Sequence, residues 1–153
     1  MVINHLRKGV RIIQFSKSTS YALHALVRLA RSEPGVNVGI KELSASLGIP
    51  VSYLSKVMSK LRQDGLVRAV TGASGGYELA RPPERISFLD VIQVIEGRQH
   101  LYECFHTDGL LPSNPQCLIH QVMDGAEERL LQYLREHTIQ WVLDRRKEHE
   151  PTV

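Results

Sequence analysis

Apolar residues at the spacing i, i+3, i+4, i+7 recur along the first half of the chain, and glycine or proline cuts off each recurrence. In SKSTSYALHALVRLARS, residues 16–32, Leu23, Leu26, Val27 and Ala30 share one helical face, and Pro34-Gly35 ends it. A second short helix is expected from about Gly39 to Leu47, burying Ile40, Leu43 and Leu47 and stopping at Gly48, where a positive φ costs no Cβ clash. A third starts near Pro50 or Ser52 and runs to Asp64, with Leu54, Val57, Met58 and Leu61 inward and Gly65 as its cap. Two short helices joined by a glycine-containing turn form a helix-turn-helix.

The outer face of the third helix carries Ser52, Tyr53, Ser55, Lys56, Ser59, Lys60 and Arg62, with no acidic residue before Asp64. Small hydroxyls and a tyrosine at a helix N-terminus can reach base edges while Lys60 and Arg62 reach phosphates, the division of labour of a recognition helix in a major groove. A solvated helix face is the plain alternative. Next come the strand-like runs Leu66 to Val70 and Tyr77 to Arg81, flanking Thr71-Gly72-Ala73-Ser74-Gly75-Gly76. A hairpin directly after a recognition helix reads as a wing, whose glycines allow close approach to a sugar-phosphate backbone and whose Arg68 and Arg81 add charge. TGASGG matches neither a dinucleotide fingerprint nor a P-loop, and no helix opens from it.

Charge supports this division. Residues 1–81 hold 12 Lys and Arg against 4 Asp and Glu, whereas residues 82–153 hold 7 against 12, so a basic half precedes an acidic one. A basic half of this size points to a polyanion partner. The 153 residues fit one domain with an appended element and exclude a large multidomain enzyme. No apolar run approaches the ~20 residues of a membrane span. The first 15 residues contain Arg7, Lys8 and Arg11 but lack a secretory pattern, so the expected location is the cytoplasm. Neither an HExxH motif nor a nucleophile-base pairing is present, and the chain is not expected to be an enzyme.

After Pro82-Pro83, Ile86 to Gly97 predicts a fourth helix with Ser87 as cap and Leu89, Ile92, Val94 and Ile95 apolar. A loop from Arg98 to Asn114 then leads to Asn114-Pro115, a good N-cap with proline at the first helical position. The helix it opens continues to about His137 with Leu118, Ile119, Val122, Met123, Ala126, Leu130, Leu131 and Leu134 apolar, and Thr138 opens a last helix through Ile139, Trp141, Val142 and Leu143. That stripe exceeds what one packing face covers, and a homodimer crossing through this helix would space two half-site readers one DNA turn apart. Intramolecular packing is the alternative.

Only two cysteines occur, Cys104 in the loop and Cys117 in the first turn of the long helix, where the helix dipole favours a thiolate. His120 lies one turn on, along the same face. Two thiolates and an imidazole can hold zinc or a two-iron two-sulfur (2Fe-2S) cluster; two unrelated cysteines and an exposed histidine are the alternative.

Several segments together carry a resemblance: Tyr21-Ala22-Leu23, Gly48-Ile49-Pro50-Val51-Ser52-Tyr53-Leu54, Leu61-Arg62-Gln63-Asp64-Gly65-Leu66-Val67, and Gly72-Ala73-Ser74-Gly75-Gly76-Tyr77. The chain resembles the Rrf-two winged-helix transcription regulators, and Cys117-Leu118-Ile119-His120 is similar to the end of that family's cluster motif. Members generally carry three cysteines before the long helix; here the middle one is absent. The resemblance also implies a ligand from the first helix of the opposite subunit, at His24, with His120, His106 or Glu103 as further candidates. Thr71 stands where many relatives have a basic residue, which implies a minor-groove insertion that is either weaker or shifted to Arg68.

The expected fold is therefore mainly α with a small β-hairpin: an N-terminal extension at 1–15, a winged helix-turn-helix domain at 16–83, and a sensing loop with dimerisation helices at 84–153. The expected protein is a homodimeric regulator of double-stranded DNA with no membrane contact. Its DNA contacts are Ser52, Tyr53, Ser55, Lys56, Lys60, Arg62, Arg68, Thr71, Gly72 and Ser74. Its cofactor, a 2Fe-2S cluster, is held by Cys104, Cys117, His24 and His120. The alternatives in the same class are a reversible Cys104–Cys117 disulfide and a protein partner.

Overall fold

The computed structural model describes residues 14–98, 100 and 117–149. Six helices and a two-stranded antiparallel hairpin run in the order α1 (Lys17–Ala30), α2 (Ile40–Leu47), α3 (Val51–Gln63), β1 (Val67–Val70), β2 (Gly76–Leu79), α4 (Phe88–Glu96), α5 (Leu118–Glu136) and α6 (Ile139–His149). A single 3-10 turn, Pro83–Arg85, links the hairpin to α4.

The predicted inward face of α3 is the observed one: Leu54, Val57, Met58 and Leu61 are all buried. In α1 the buried face is rotated from the expected set. Ala22, Ala25, Leu26 and Leu29 fill the core, whereas Leu23, Val27 and Ala30 sit half-buried at its margin. The shift has a steric reason, since two alanines let α1 lie close to α3 and α4, and larger residues line the edges of that contact. In α2, Leu43 is buried while Ile40 and Leu47 are half-buried. Gly48 and Gly65 adopt φ of 66° and 68°, as their cap positions require.

The hairpin pairs Val67 with Leu79 and Arg68 with Glu78, and β2 begins one residue before the expected Tyr77. Val38 adds a bridge to Tyr77, with hydrogen bonds of 2.8 and 2.9 Å in the two directions. Ser87 caps α4 in a full capping box with Asp90. The buried cluster is continuous across Pro82-Pro83, because Ile86, Val91, Ile95 and the fully buried Ile139 join the helices of the first half. Phe88 N–H to His137 O, at 2.8 Å, and Ile139 N–H to Ile86 O, at 2.9 Å, fasten the start of α6 beside α4, and α6 packs on α1. The first helical bond of α5 runs from Gln121 N–H to Cys117 O, so Cys117 is the N-cap rather than a first-turn residue. Asn114 and Pro115 lie outside the described residues.

Candidate nucleic-acid interface and sensing centre

Helix α3 presents Ser52, Lys56 and Arg62 exposed, with Ser55 and Ser59 half-buried between them. Lys56 and Arg62 make no hydrogen bond or ion pair among the described residues, which leaves both charges available to phosphate. Ser55 Oγ donates to Val51 O at 2.8 Å. Tyr53 is part of a brace: its hydroxyl shares a 2.7 Å hydrogen bond with Ser18 Oγ, and its ring meets Tyr21 edge-on at 5.5 Å. Lys60 turns away from the outer face, and its Nζ donates to Ile95 O at 3.3 Å, satisfying a carbonyl at the C-terminal end of α4.

On the wing, Arg68 Nε pairs with Glu78 Oε1 at 2.7 Å across the strands, yet its side chain stays 66% exposed. Thr71, Gly72 and Ser74 are exposed at the turn. Gly72, with φ of 119°, takes a backbone conformation that side chains rarely adopt. The glycine pair after it serves the chain's own packing. A Cβ on Gly75 would stand 2.6 Å from Val70 O, and one on Gly76 would stand 2.6 Å from the Val38 carbonyl. Arg81 is also structural, donating to Gly65 O at 3.1 Å and Asp64 O at 3.0 Å. The basic residues named from sequence thus divide into free cations (Lys56, Arg62), a shared one (Arg68) and fasteners (Lys60, Arg81).

Glu96, at the last turn of α4, is a residue that sequence reasoning missed. One of its carboxylate oxygens accepts from Ser16 N–H and Thr19 Oγ, each at 2.6 Å. Burial by itself would raise its pKa, but the hydrogen bonds from Thr19 and Ser16 and the nearby Lys60 charge outweigh it and hold the carboxyl below its ordinary value. The partners lie 80 and 77 residues away, so no local pattern announces them.

Of the expected sensing residues, Cys104 lies outside the described residues, as do Glu103 and His106. Cys117 is half-buried at the start of α5. His120 Nε2 pairs with Asp124 Oδ2 at 3.0 Å, while Nδ1 is buried with no hydrogen-bond partner. A carboxylate holding one ring nitrogen fixes the proton there and leaves the other lone pair free, the arrangement of a metal-binding imidazole. The donor set therefore fits a thiolate-imidazole centre at this helix start. The i, i+4 spacing of His120 and Asp124 was the sequence signal for this second residue. His24 is exposed on α1, its Nδ1 2.8 Å from Ser20 O. Among the described residues no three His, Cys, Asp or Glu side chains gather into a metal site.

The Rrf2 model, described as an iron-dependent transcriptional regulator, matches residues 15–145. The chain belongs to the Rrf2 family. Relatives along most of its length agree: NsrR of Bacillus subtilis, an HTH-type transcriptional regulator, is 30% identical over 128 residues, covering 83% of this chain and 88% of that one. The structure of IscR from T. potens superposes with a TM-score of 0.73 at 26% identity, covering 92% of this chain and 93% of that one. CymR, the global cysteine regulator of B. subtilis, superposes with a TM-score of 0.68 at 26% identity, covering 85% and 95%. This Rrf2 protein is accordingly a DNA-binding transcriptional regulator of winged-helix fold, not an enzyme. No helix among its described residues is long and apolar enough to cross a membrane.

Proposed function

We propose that this Rrf2 regulator acts as a homodimer on a two-fold symmetric operator and senses redox state, iron or nitric oxide through a 2Fe-2S cluster. The holding residues are Cys104, Cys117 and His120, with the partner subunit's His24 completing the set. The observation that carries this reading is the buried, unpartnered Nδ1 of His120, oriented by Asp124 one turn beyond Cys117. When bound, such a cluster supplies a redox-active group sensitive to oxidants. The family model's description as iron-dependent favours the same reading.

Ser52, Ser55, Lys56 and Arg62 of α3 meet the major groove, and Thr71, Gly72, Ser74 and Arg68 of the wing meet the adjacent backbone. Tyr53 and Lys60 contribute by holding α3 in place. The segment between α4 and α5 is bounded by Glu96 and Cys117, and the end of α4 is tied to α1 through Glu96 and to α3 through Lys60. A displacement at Cys117 that reaches the end of α4 is thereby passed to both helices. In a dimer it changes the spacing of two recognition helices and lowers affinity without altering a base contact. The exposed Leu118, Ile119 and Val122 on α5 supply the dimer face.

Iron and acid-labile sulfide, measured on protein purified without oxygen, test the centre. Roughly two of each per chain are expected, lost in Cys104→Ala, Cys117→Ala and His120→Ala. Colourless, metal-free protein that still binds DNA overturns the cluster. It leaves a Cys104–Cys117 disulfide as the signal, a second reading favoured by the presence of only these two cysteines.

A further inference from the structure

Between α4 and α5, away from the recognition face, lies a cavity of about 460 Å³, within the size range of small-molecule sites. Leu89 and Ile92 of α4, Leu130 and Leu134 of α5, and Phe15 form apolar walls. Into this surface α5 places the carboxylate of Glu127, a residue only 8% exposed. Among the described residues its ion-pair partner is the His100 ring, Nδ1 to Oε1 at 3.3 Å, and that side chain is 82% exposed. Its second oxygen has no hydrogen-bond partner among the described residues. A buried carboxylate among leucines is costly unless a cation meets it, and the cavity leaves room for one. Arg98 and His100 line the same cavity, but both are exposed, whereas Glu127 is buried against its apolar walls.

We propose that this cavity is a binding site for a small amphipathic organic cation, an ammonium group on a short apolar body. The ammonium bonds the open oxygen of Glu127, and the body covers Leu89, Ile92, Leu130 and Leu134. Glu96 lines the same cavity while its carboxylate holds Thr19 of α1 and the N-cap residue Ser16, so an occupant presses on the contact that ties α4 to the helix-turn-helix half. That consequence rests on the proposed function; binding itself does not.

Calorimetry on the full-length protein without DNA, with phenethylamine as probe and phenethyl alcohol and phenylacetate as controls, tests the site. The amine is expected to bind about tenfold tighter than the alcohol, the difference a charge-assisted hydrogen bond makes, and phenylacetate more weakly than both. Glu127→Gln is expected to abolish the preference for amine over alcohol, and Leu130→Phe to block both probes by filling the cavity. Equal binding of amine and alcohol to the native protein overturns the proposal. So does an amine preference that survives Glu127→Gln, and so does absence of amine binding to a protein that circular dichroism shows to be folded. Because no DNA is present, loss of operator binding would count against the proposed function and leave this result standing.

Discussion

Helices α3 and α5 both carry an apolar stripe at helical spacing, yet Leu54, Met58 and Leu61 of α3 have no exposed surface while Leu118, Ile119 and Val122 of α5 are 74%, 65% and 70% exposed. The first stripe is covered by α1, α2 and α4 of the same chain. The second is left open at its N-terminal end, beside Cys117, and is half-buried at Met123 and again farther on, at Leu130, Leu131 and Leu134. Periodicity therefore announces that a face will be covered without saying by what. Among the described residues the helix-turn-helix half buries its stripe within one chain, and the start of α5 does not.

The largest expected effect breaks the finished half. Leu61→Ala removes fully buried atoms and is expected to cost about 2–5 kcal/mol in a urea titration. The matching truncation on the open stripe, Val122→Ala, is expected to change the stability of the monomer by less than about 0.5 kcal/mol while weakening the proposed dimer, with sedimentation as the measurement. Equal losses at both positions would mean that one chain covers both stripes. Gly76→Ala comes next. Its new Cβ collides with the Val38 backbone, with an expected cost of about 1–3 kcal/mol and a displaced wing.

Smaller effects sharpen the distinction between free and fastened cations. Lys56→Ala is expected to weaken binding to all DNA sequences alike and to reduce the salt slope by about 1. Lys60→Ala is expected to leave that slope nearly unchanged and to act through stability, since its Nζ serves Ile95 O. The smallest effect concerns Glu96. Its folded pKa is lowered from 4.5, so its stabilising contribution is present above that value and is lost as pH falls through the lower, folded one. Glu96→Gln should therefore show a smaller drop in melting temperature between neutral pH and about pH 4 than the native protein. An equal drop would place the acid sensitivity elsewhere.

Much of this was legible beforehand. The inward set of α3, the caps at Gly48 and Gly65, and the capping serine at 87 followed from spacing and side-chain chemistry that act within one helical turn. The face of α1 was harder to read, because alanine carries little hydrophobic signal and the larger Leu23 and Val27 dominated the pattern. In the sequence Lys60 reads as a DNA contact and Arg81 as added charge at the base of the wing, because both are basic and lie close to the recognition helix or wing; the hydrogen bonds they make in the fold are not legible there. Their partners are backbone carbonyls that only the fold brings within reach, 35 residues from Lys60 in one case.

By itself the sequence determined which segments become helix or hairpin, where glycine must stand to end them, and which half carries the positive charge. Those properties arise from each residue's own conformational preferences and its nearest neighbours. Tertiary structure alone decided which cations stay free, why Gly75 and Gly76 cannot carry a side chain, and that Glu96 joins α4 to α1. It also left a ring nitrogen of His120 buried without a partner and set Glu127 among apolar cavity walls. These features depend on distances between elements far apart in the chain, and close packing fixes such distances only once all the elements are in place.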